Sequence, residues 1–155
     1  MELLPTMKEI VKVGLAACHN GALLLVRKNG AKCFILPGGK PEKNEENLET
    51  LRREVWEELR CDMKNVNYIG SFSDIAAEIP DTKVTVQLFA GSLVGEPTPA
   101  SEIDEIAWVA LQDPLVPLAP SLTNKIIPHL CVAESSETSC LIDEQRELGQ
   151  CLEAT

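Results

Sequence analysis

The chain has 155 residues, which is enough for one domain with a buried core and too few for two. Its 24 acidic residues outnumber 14 basic ones and give a formal net charge of −10, which argues against binding to a nucleic-acid duplex. The first ten residues form no apolar signal segment, and no stretch reaches the roughly 20 apolar residues of a membrane helix, so we expect a cytoplasmic protein without a membrane partner.

The first half of the domain is predicted to contain strands connected by tight turns. Residues Ile10 to Cys18 are apolar and rich in β-formers, and Asn20-Gly21 is a strong hairpin signal before a return strand from Ala22 to Lys28. A short apolar run from Cys33 to Leu36 follows, and Pro37-Gly38-Gly39 ends it. We therefore expect a hairpin and a third short strand that leads into a glycine turn.

A helix is predicted between Glu46 and Arg60, where the hydrophobic period changes. The segment contains no glycine or proline, and its apolar residues recur at spacings of three and four, which places them along one face of a helix. These residues are Leu48, Leu51, Val55 and Leu59.

The second half is predicted to contain three strands: Val66 to Ile79, Lys83 to Val94 and Ile106 to Leu111. Pro80-Asp81 separates the first two of these strands, and Trp108 in the third is predicted to lie in the core. The order of strands, helix and further strands favours an α+β sandwich on a mixed β-sheet.

A final helix is predicted from Ser121, as its cap, to about Cys131, with Pro128 kinking it or ending it early. The composition then becomes polar, so we expect one domain over residues 1–132 and a loose tail over residues 133–155. Within that tail only Glu144 to Leu152 has a weak helical pattern. The six cysteines have no zinc-binding spacing and are expected to be reduced, several of them as small core residues.

Three glutamates on the predicted helix point to metal chemistry. Glu54, Glu57 and Glu58 are three and four residues apart, so their carboxylates project from one side of the helix and repel each other. A divalent cation would turn this repulsion into ligation, and hard oxygen ligands favour magnesium or manganese over zinc. The alternative is an ordinary solvated acidic face, which three glutamates alone do not exclude.

The residues around the glutamates resemble the Nudix box, G-x5-E-x7-R-E-U-x-E-E-x-G-U, in which U is aliphatic. Every fixed position matches from residue 39 to residue 58: Gly39, Glu45, Arg53, Glu54, Val55, Glu57 and Glu58. The box glycine that follows the helix is replaced by Arg60, for which we expect a slightly altered helix end. A residue that tolerates a left-handed backbone, Asn44, precedes the first box glutamate.

The resemblance implies an α/β/α sandwich and a role for each box residue. Glu54, Glu57 and Glu58 would hold the metal ion together with the carbonyl group of Gly39. Glu45 would pair with Arg53 and hold the loop against the helix. An ordinary helix ion pair is the alternative reading of Arg53.

The remaining site residues are assigned from the chemistry that such a centre requires. A carboxylate must take a proton from the attacking water, and the candidates are Glu57, Glu102 and Glu105. The resemblance implies a slight preference for Glu102 over Glu105, because related enzymes often carry an acidic residue at this distance before the tryptophan. Arg27, at the end of a strand, and Lys40, after the glycine pair, are candidates for contacts to phosphate.

The resemblance implies an enzyme that hydrolyses the pyrophosphate bond of a nucleoside diphosphate linked to a further group. A nucleoside triphosphate, standard or oxidised, is the first expectation for this small-molecule substrate. The alternatives are ADP-ribose, a dinucleoside polyphosphate, or a nucleotide-binding module without catalysis. Whether the protein is a monomer or a homodimer stays open.

Overall fold

The computed structural model describes residues 7–134, so residues 135–155 of the predicted polar tail, with its weak helix, lie outside the described residues. Seven strands, two α-helices and one π-helical turn follow each other within this described part of the chain. They are β1 (Lys8–Ala16), β2 (Cys18–His19), β3 (Ala22–Lys28), β4 (Gly38–Gly39), α1 (Asn47–Leu59), β5 (Asp62–Ile75), β6 (Thr82–Val94), β7 (Ile103–Ala110), the π-helical turn (Leu122–Ile126) and α2 (Ile127–Glu134).

The strands form two sheets. A four-stranded sheet has the order β4-β1-β6-β5, in which β1 and β6 run parallel and the other pairs are antiparallel. A three-stranded antiparallel sheet has the order β2-β3-β7. A mixed sheet with few helices confirms the predicted α+β class.

Helices cover the strands from both sides, as an α/β/α sandwich requires. On one side, Leu51 and Val55 of α1 pack in a buried cluster with Val13 of β1. On the other side, Leu122 and Ile126 of the π-helical turn pack in a second buried cluster with residues of β3 and β6. Burial of these apolar faces, at roughly 25 cal/mol per Å², provides the main driving force for the arrangement.

Both ends of α1 have defined caps. The backbone N–H of Glu46 donates to the Glu49 carboxylate at 2.9 Å, which satisfies a donor at the start of the helix. At the other end, Arg60 adopts the left-handed conformation, with φ 58° and ψ 37°, and its N–H donates to the Trp56 carbonyl at 2.9 Å. The expected alteration of this helix end is therefore absent, because Arg60 takes the conformation that glycine takes in the Nudix box. Asn44 has φ 65°, as predicted.

Several predicted boundaries and environments were wrong. β5 ends at Ile75 instead of Ile79, because the Ala76 N–H donates to the Thr82 carbonyl at 2.8 Å and closes the turn earlier. Trp108 is half-exposed, because it points to the outer face of β7 while Val109 points into the core.

The last helix does not end at Pro128. The wide π-helical turn lies directly before α2, and the Ile127 N–H donates to the carbonyl of Leu122, five residues earlier. Such a turn accommodates a residue that has no backbone donor of its own. No helix in residues 7–134 is long and apolar enough to cross a membrane.

Candidate active site

The glycine turn lies directly against helix α1. Gly38 and Gly39 form the short strand β4 and pair with Gly14 and Val13 of β1. The backbone N–H of Gly38 donates to Glu58 Oε1 at 3.1 Å. A Cβ atom on Gly38, whose φ is 149°, would overlap the Val13 carbonyl oxygen, so only glycine fits this position.

Glu58 is a buried carboxylate with one unsatisfied oxygen. Its side chain is 1% exposed, and Oε2 has no hydrogen-bond partner. Burial raises the pKa of Glu58 to about 8, against the opposing effect of the Gly38 N–H. A buried carboxylate oxygen without a partner is unfavourable, and a bound cation would satisfy it.

Glu54 lies closest to the second glycine. A Cβ atom on Gly39 would come within 2.5 Å of the Glu54 carboxylate, so glycine at this position leaves the space that the carboxylate uses. The Glu54 side chain is only 15% exposed, and burial raises its pKa. The Glu54 carboxylate and the glycine backbone therefore lie side by side.

Arg53 connects the loop to the helix carboxylates. Its Nε and Nη2 donate to the two oxygens of Glu45 at 2.6 and 2.9 Å, so the expected pairing is present. Its Nη1 lies 3.1 Å from Glu54 Oε2 and 3.5 Å from Glu57 Oε1. The hydrogen bonds from Arg53 are the main reason that the pKa of Glu45 is lowered to about 2.

The site suits a hard cation, but its carboxylates are not gathered around one position. Within residues 7–134, no three acidic, histidine or cysteine side chains are gathered closely enough to hold a metal ion unaided. Glu57 is half-exposed and lies beside Arg53, so its carboxylate would have to turn to join Glu54 and Glu58. The unsatisfied Glu58 oxygen and the space beside Gly39 suit a cation with oxygen ligands.

A cleft of about 680 Å³ opens beside these carboxylates, a volume suitable for a small-molecule ligand. Near Gly39 and Glu54 its lining is polar. Three lysines reach it from three different segments: Lys12, Lys28 and Lys40. Elsewhere the lining is aliphatic and includes Ile10, Ile35, Ile75 and Ile79.

The comparisons agree with this architecture. The model of the NUDIX domain matches residues 9–130. The chain belongs to the Nudix hydrolase family. A comparison with curated proteins gives no significant match.

Solved structures of other Nudix proteins share the fold of this one. A Nudix hydrolase family member from Chromobacterium violaceum is 23% identical, with a TM-score of 0.70, and the match covers 98% of this chain and 100% of that one. The MutT Nudix hydrolase from Burkholderia pseudomallei is 25% identical, with a TM-score of 0.66, over 79% of this chain and 97% of that one. An ADP-ribose pyrophosphatase from Streptococcus suis is 24% identical, with a TM-score of 0.54, over 82% of this chain and 92% of that one.

The two loop acids of this Nudix hydrolase occupy different places. Glu102 lines the cleft, and its Oε2 lies 3.3 Å from Lys28 Nζ. Glu105 lies outside the cleft lining and pairs with Arg27 at 3.3 Å across β3 and β7. Only Glu102 therefore faces the space beside the box carboxylates.

Arg27 does not line the cleft, in contrast to the expected phosphate contact. Its Nη1 donates to the Ala31 carbonyl at 3.1 Å, and its guanidinium also pairs with Asp104 and Glu105. The pairing of β3 with β7 is irregular between Arg27 and Lys28, and Lys28 lines the cleft instead. The expected candidate Lys40 does line it.

Sequence reasoning missed Lys12 and Glu78 in addition to Lys28. Lys12 carried a detectable signal, because it is a charge within an otherwise apolar stretch of β1. Glu78 carried none, because a single acidic residue near the end of a predicted strand is ordinary. In the structure its Oε2 accepts hydrogen bonds from the backbone N–H groups of Lys32 and Cys33, at 3.0 and 3.1 Å.

Proposed function

We propose that this Nudix hydrolase uses magnesium or manganese to cleave the pyrophosphate bond of a nucleoside diphosphate derivative, with a nucleoside triphosphate, standard or oxidised, as its substrate. The observation that carries the proposal is the buried, unsatisfied oxygen of Glu58 beside Glu54 and the glycine turn. This arrangement opens into a cleft with three lysines. It therefore joins a candidate cation site to a candidate polyphosphate site.

Four groups of the Nudix box would hold the metal: the carboxylates of Glu54, Glu57 and Glu58, and the carbonyl group of Gly39. When bound, a divalent ion would neutralise charge on the pyrophosphate and make a water molecule easier to deprotonate. Arg53 would keep Glu54 and Glu57 close to each other despite their like charges.

The chain's own residues would supply the proton acceptor and would bind the substrate. Glu57 or Glu102 would accept the proton of the attacking water. Lys28 and Lys40, which line the cleft, would contact phosphate oxygens. The aliphatic part of the cleft would take the base and sugar.

The second candidate substrate is ADP-ribose or another nucleoside diphosphate derivative. The similarity to the Streptococcus suis ADP-ribose pyrophosphatase favours this alternative. A binding module without catalysis is disfavoured, because Glu54, Glu57 and Glu58 are all retained. We further propose a domain over residues 1–132 with an accessory tail over residues 133–155, in a cytoplasmic monomer or homodimer.

A phosphate-release screen tests the proposal. Nucleoside triphosphates, oxidised nucleotides, ADP-ribose and dinucleoside polyphosphates would be incubated with the protein, with and without magnesium, followed by pyrophosphatase or phosphatase as each product requires. We expect magnesium-dependent turnover of at least one triphosphate, and loss of that turnover in a folded Glu57→Gln variant. Turnover without a divalent ion, or unchanged turnover in Glu57→Gln, would contradict the metal assignment.

A further inference from the structure

Lys12 lies where strand β4 ends. β4 pairs with β1 only through Gly38 and Gly39, and Val13 is the partner of Gly39. Lys12 is the next residue of β1 towards its start, beyond this pairing, and it lines the cleft. The edge of β1 that carries Lys12 therefore borders the cleft directly beside the glycine turn.

The charge of Lys12 has no close acidic partner. Within residues 7–134, no carboxylate lies within ion-pair distance of its ammonium group, whereas Lys28 pairs with Glu102 at 3.3 Å. Lys12 is also partly buried, and burial, reinforced by the charge of Lys28 and opposed by the more distant charges of Glu58 and Glu54, lowers its pKa to about 8. A partly buried ammonium without a partner is unfavourable, and an anionic ligand in the cleft would relieve this cost.

The position of Lys12 indicates which anion it would meet. Glu54 and Gly39 lie at the end of the cleft that would bind the metal, and Ile10, two residues before Lys12 on the same face of β1, belongs to the aliphatic lining. Lys12 therefore stands between the carboxylates and the region suited to a base and sugar. In a nucleotide, the group between the sugar and the cleaved bond is the phosphate nearest the nucleoside.

We propose that Lys12 is a substrate-binding residue that contacts the nucleoside-proximal phosphate. The inference rests on the proposed function, because it assumes a nucleotide in this cleft. It adds a contact outside the Nudix box, made by a lysine that forms no ion pair with any side chain of residues 7–134. Lys28 shares its charge with Glu102, so Lys12 is the better-placed cation for this phosphate.

Metal-free binding separates this inference from the proposed catalysis. The affinities of AMP, GMP, CMP and UMP, and of the corresponding nucleosides, would be measured by calorimetry in EDTA for the wild-type protein, Lys12→Met and Lys12→Arg. The matched control is Lys64→Met, which removes an exposed charge on β5 outside the cleft. Melting temperatures would show that each variant is folded.

We expect Lys12→Met to bind the preferred monophosphate about tenfold more weakly or worse, with nucleoside affinity unchanged. Lys12→Arg should recover part of the loss, and Lys64→Met should match the wild type. Equal affinity of Lys12→Met and wild type for the monophosphate, or no monophosphate binding by the wild type, would overturn the inference. If the effect is present but the wild type hydrolyses no nucleotide, the proposed function fails while the binding role of Lys12 stands.

Discussion

Glu58 accepts a hydrogen bond from the backbone N–H of Gly38 at 3.1 Å, while its second carboxylate oxygen has no partner. This contact ties helix α1 to strand β4. It also places a carboxylate in a buried environment, where its charged form is disfavoured without a cation. The same side chain therefore stabilises the turn and presents a buried carboxylate oxygen that a cation would stabilise.

The stability of the metal-free protein should depend on the ionisation of Glu58. The pKa of Glu58 is raised to about 8 in the fold. The stabilising contribution of the neutral carboxyl group to the free energy of unfolding is therefore fully present below the usual pKa near 4.5, and it is lost as the pH rises through 8. We expect Glu58→Gln to be more stable than the wild type at pH 9, on the order of 5 kcal/mol, and similar to it near pH 4.5.

Urea denaturation in EDTA at both pH values would measure this difference. Glu96→Gln, which alters an exposed carboxylate outside the cleft, is the control and should show no such pH dependence. A Glu58→Gln variant that is less stable than the wild type at pH 9 would show that Glu58 is not a destabilising buried charge.

The two box glycines should respond differently to an added methyl group. In Gly39→Ala the new Cβ would meet the end of the Glu54 side chain, which can move, so we expect a folded protein with turnover at least about tenfold lower. In Gly38→Ala the obstacle is the Val13 backbone, so we expect a fold destabilised by about 1–3 kcal/mol or more.

Thermal unfolding and manganese binding would distinguish the two effects. Gly70→Ala is the control, because its Cβ would make only ordinary contacts with Phe72. Wild-type turnover and manganese affinity in Gly39→Ala would show that the approach of Glu54 to this glycine is unimportant.

Arg53 and its neighbour Arg52 form a matched pair. Arg53 binds Glu45 and approaches Glu54 and Glu57, whereas Arg52 is exposed and pairs with Asp62 at 3.4 Å. We expect Arg53→Ala to lower kcat about 10- to 100-fold, because two proposed metal ligands lose their positioning partner, and Arg52→Ala to leave kcat unchanged. Steady-state kinetics with a saturating metal concentration would measure both, and equal effects of the two substitutions would refute this role.

Acid should weaken the ion pair between Glu45 of the loop and Arg53 of α1. The pKa of Glu45 is lowered to about 2, so its stabilising contribution is present above the usual value near 4.5 and is lost as the pH falls towards 2. We expect Glu45→Gln to reduce this acid dependence. Melting temperatures between pH 2 and pH 6 would measure it, and an unaltered profile would contradict the prediction.

Glu102 and Glu105 can be separated as proton acceptors. Glu102 lines the cleft, whereas Glu105 pairs with Arg27 outside the lining. We expect Glu102→Gln to lower kcat about 10²-fold or more if it is the base, and Glu105→Gln to change kcat little. Full activity in both variants would exclude the two loop acids as the proton acceptor and leave Glu57 as the candidate.

Glu78 should control the shape of the cleft through the turn that carries Ile79. Its carboxylate accepts hydrogen bonds from two consecutive backbone N–H groups, those of Lys32 and Cys33. We expect Glu78→Ala to raise KM several-fold with kcat nearly unchanged, because the aliphatic wall loses its anchor. Glu78→Gln retains an accepting oxygen and should behave like the wild type.

Amide hydrogen exchange would check the anchor independently of activity. In Glu78→Ala the amides of Lys32 and Cys33 should exchange faster than in the wild type. Faster exchange together with an unchanged KM would mean that the anchor has no part in substrate binding.

The sequence by itself determined the elements whose signals are local. The apolar stripe of α1 fixed its position to within one residue at each end, because helical periodicity depends only on near neighbours. The spacing from Gly39 to Glu58 indicated the family for a similar reason, since its fixed residues lie on one turn and one helix.

Only the tertiary structure decided which side chains meet across the domain. The choice of Lys28 over Arg27 and of Glu102 over Glu105 depends on how the end of β3 and the turn before β7 lie against the cleft. The contribution of Lys12 depends on where β4 stops pairing with β1. These relationships arise from packing between distant segments, so no pattern of neighbouring residues encodes them.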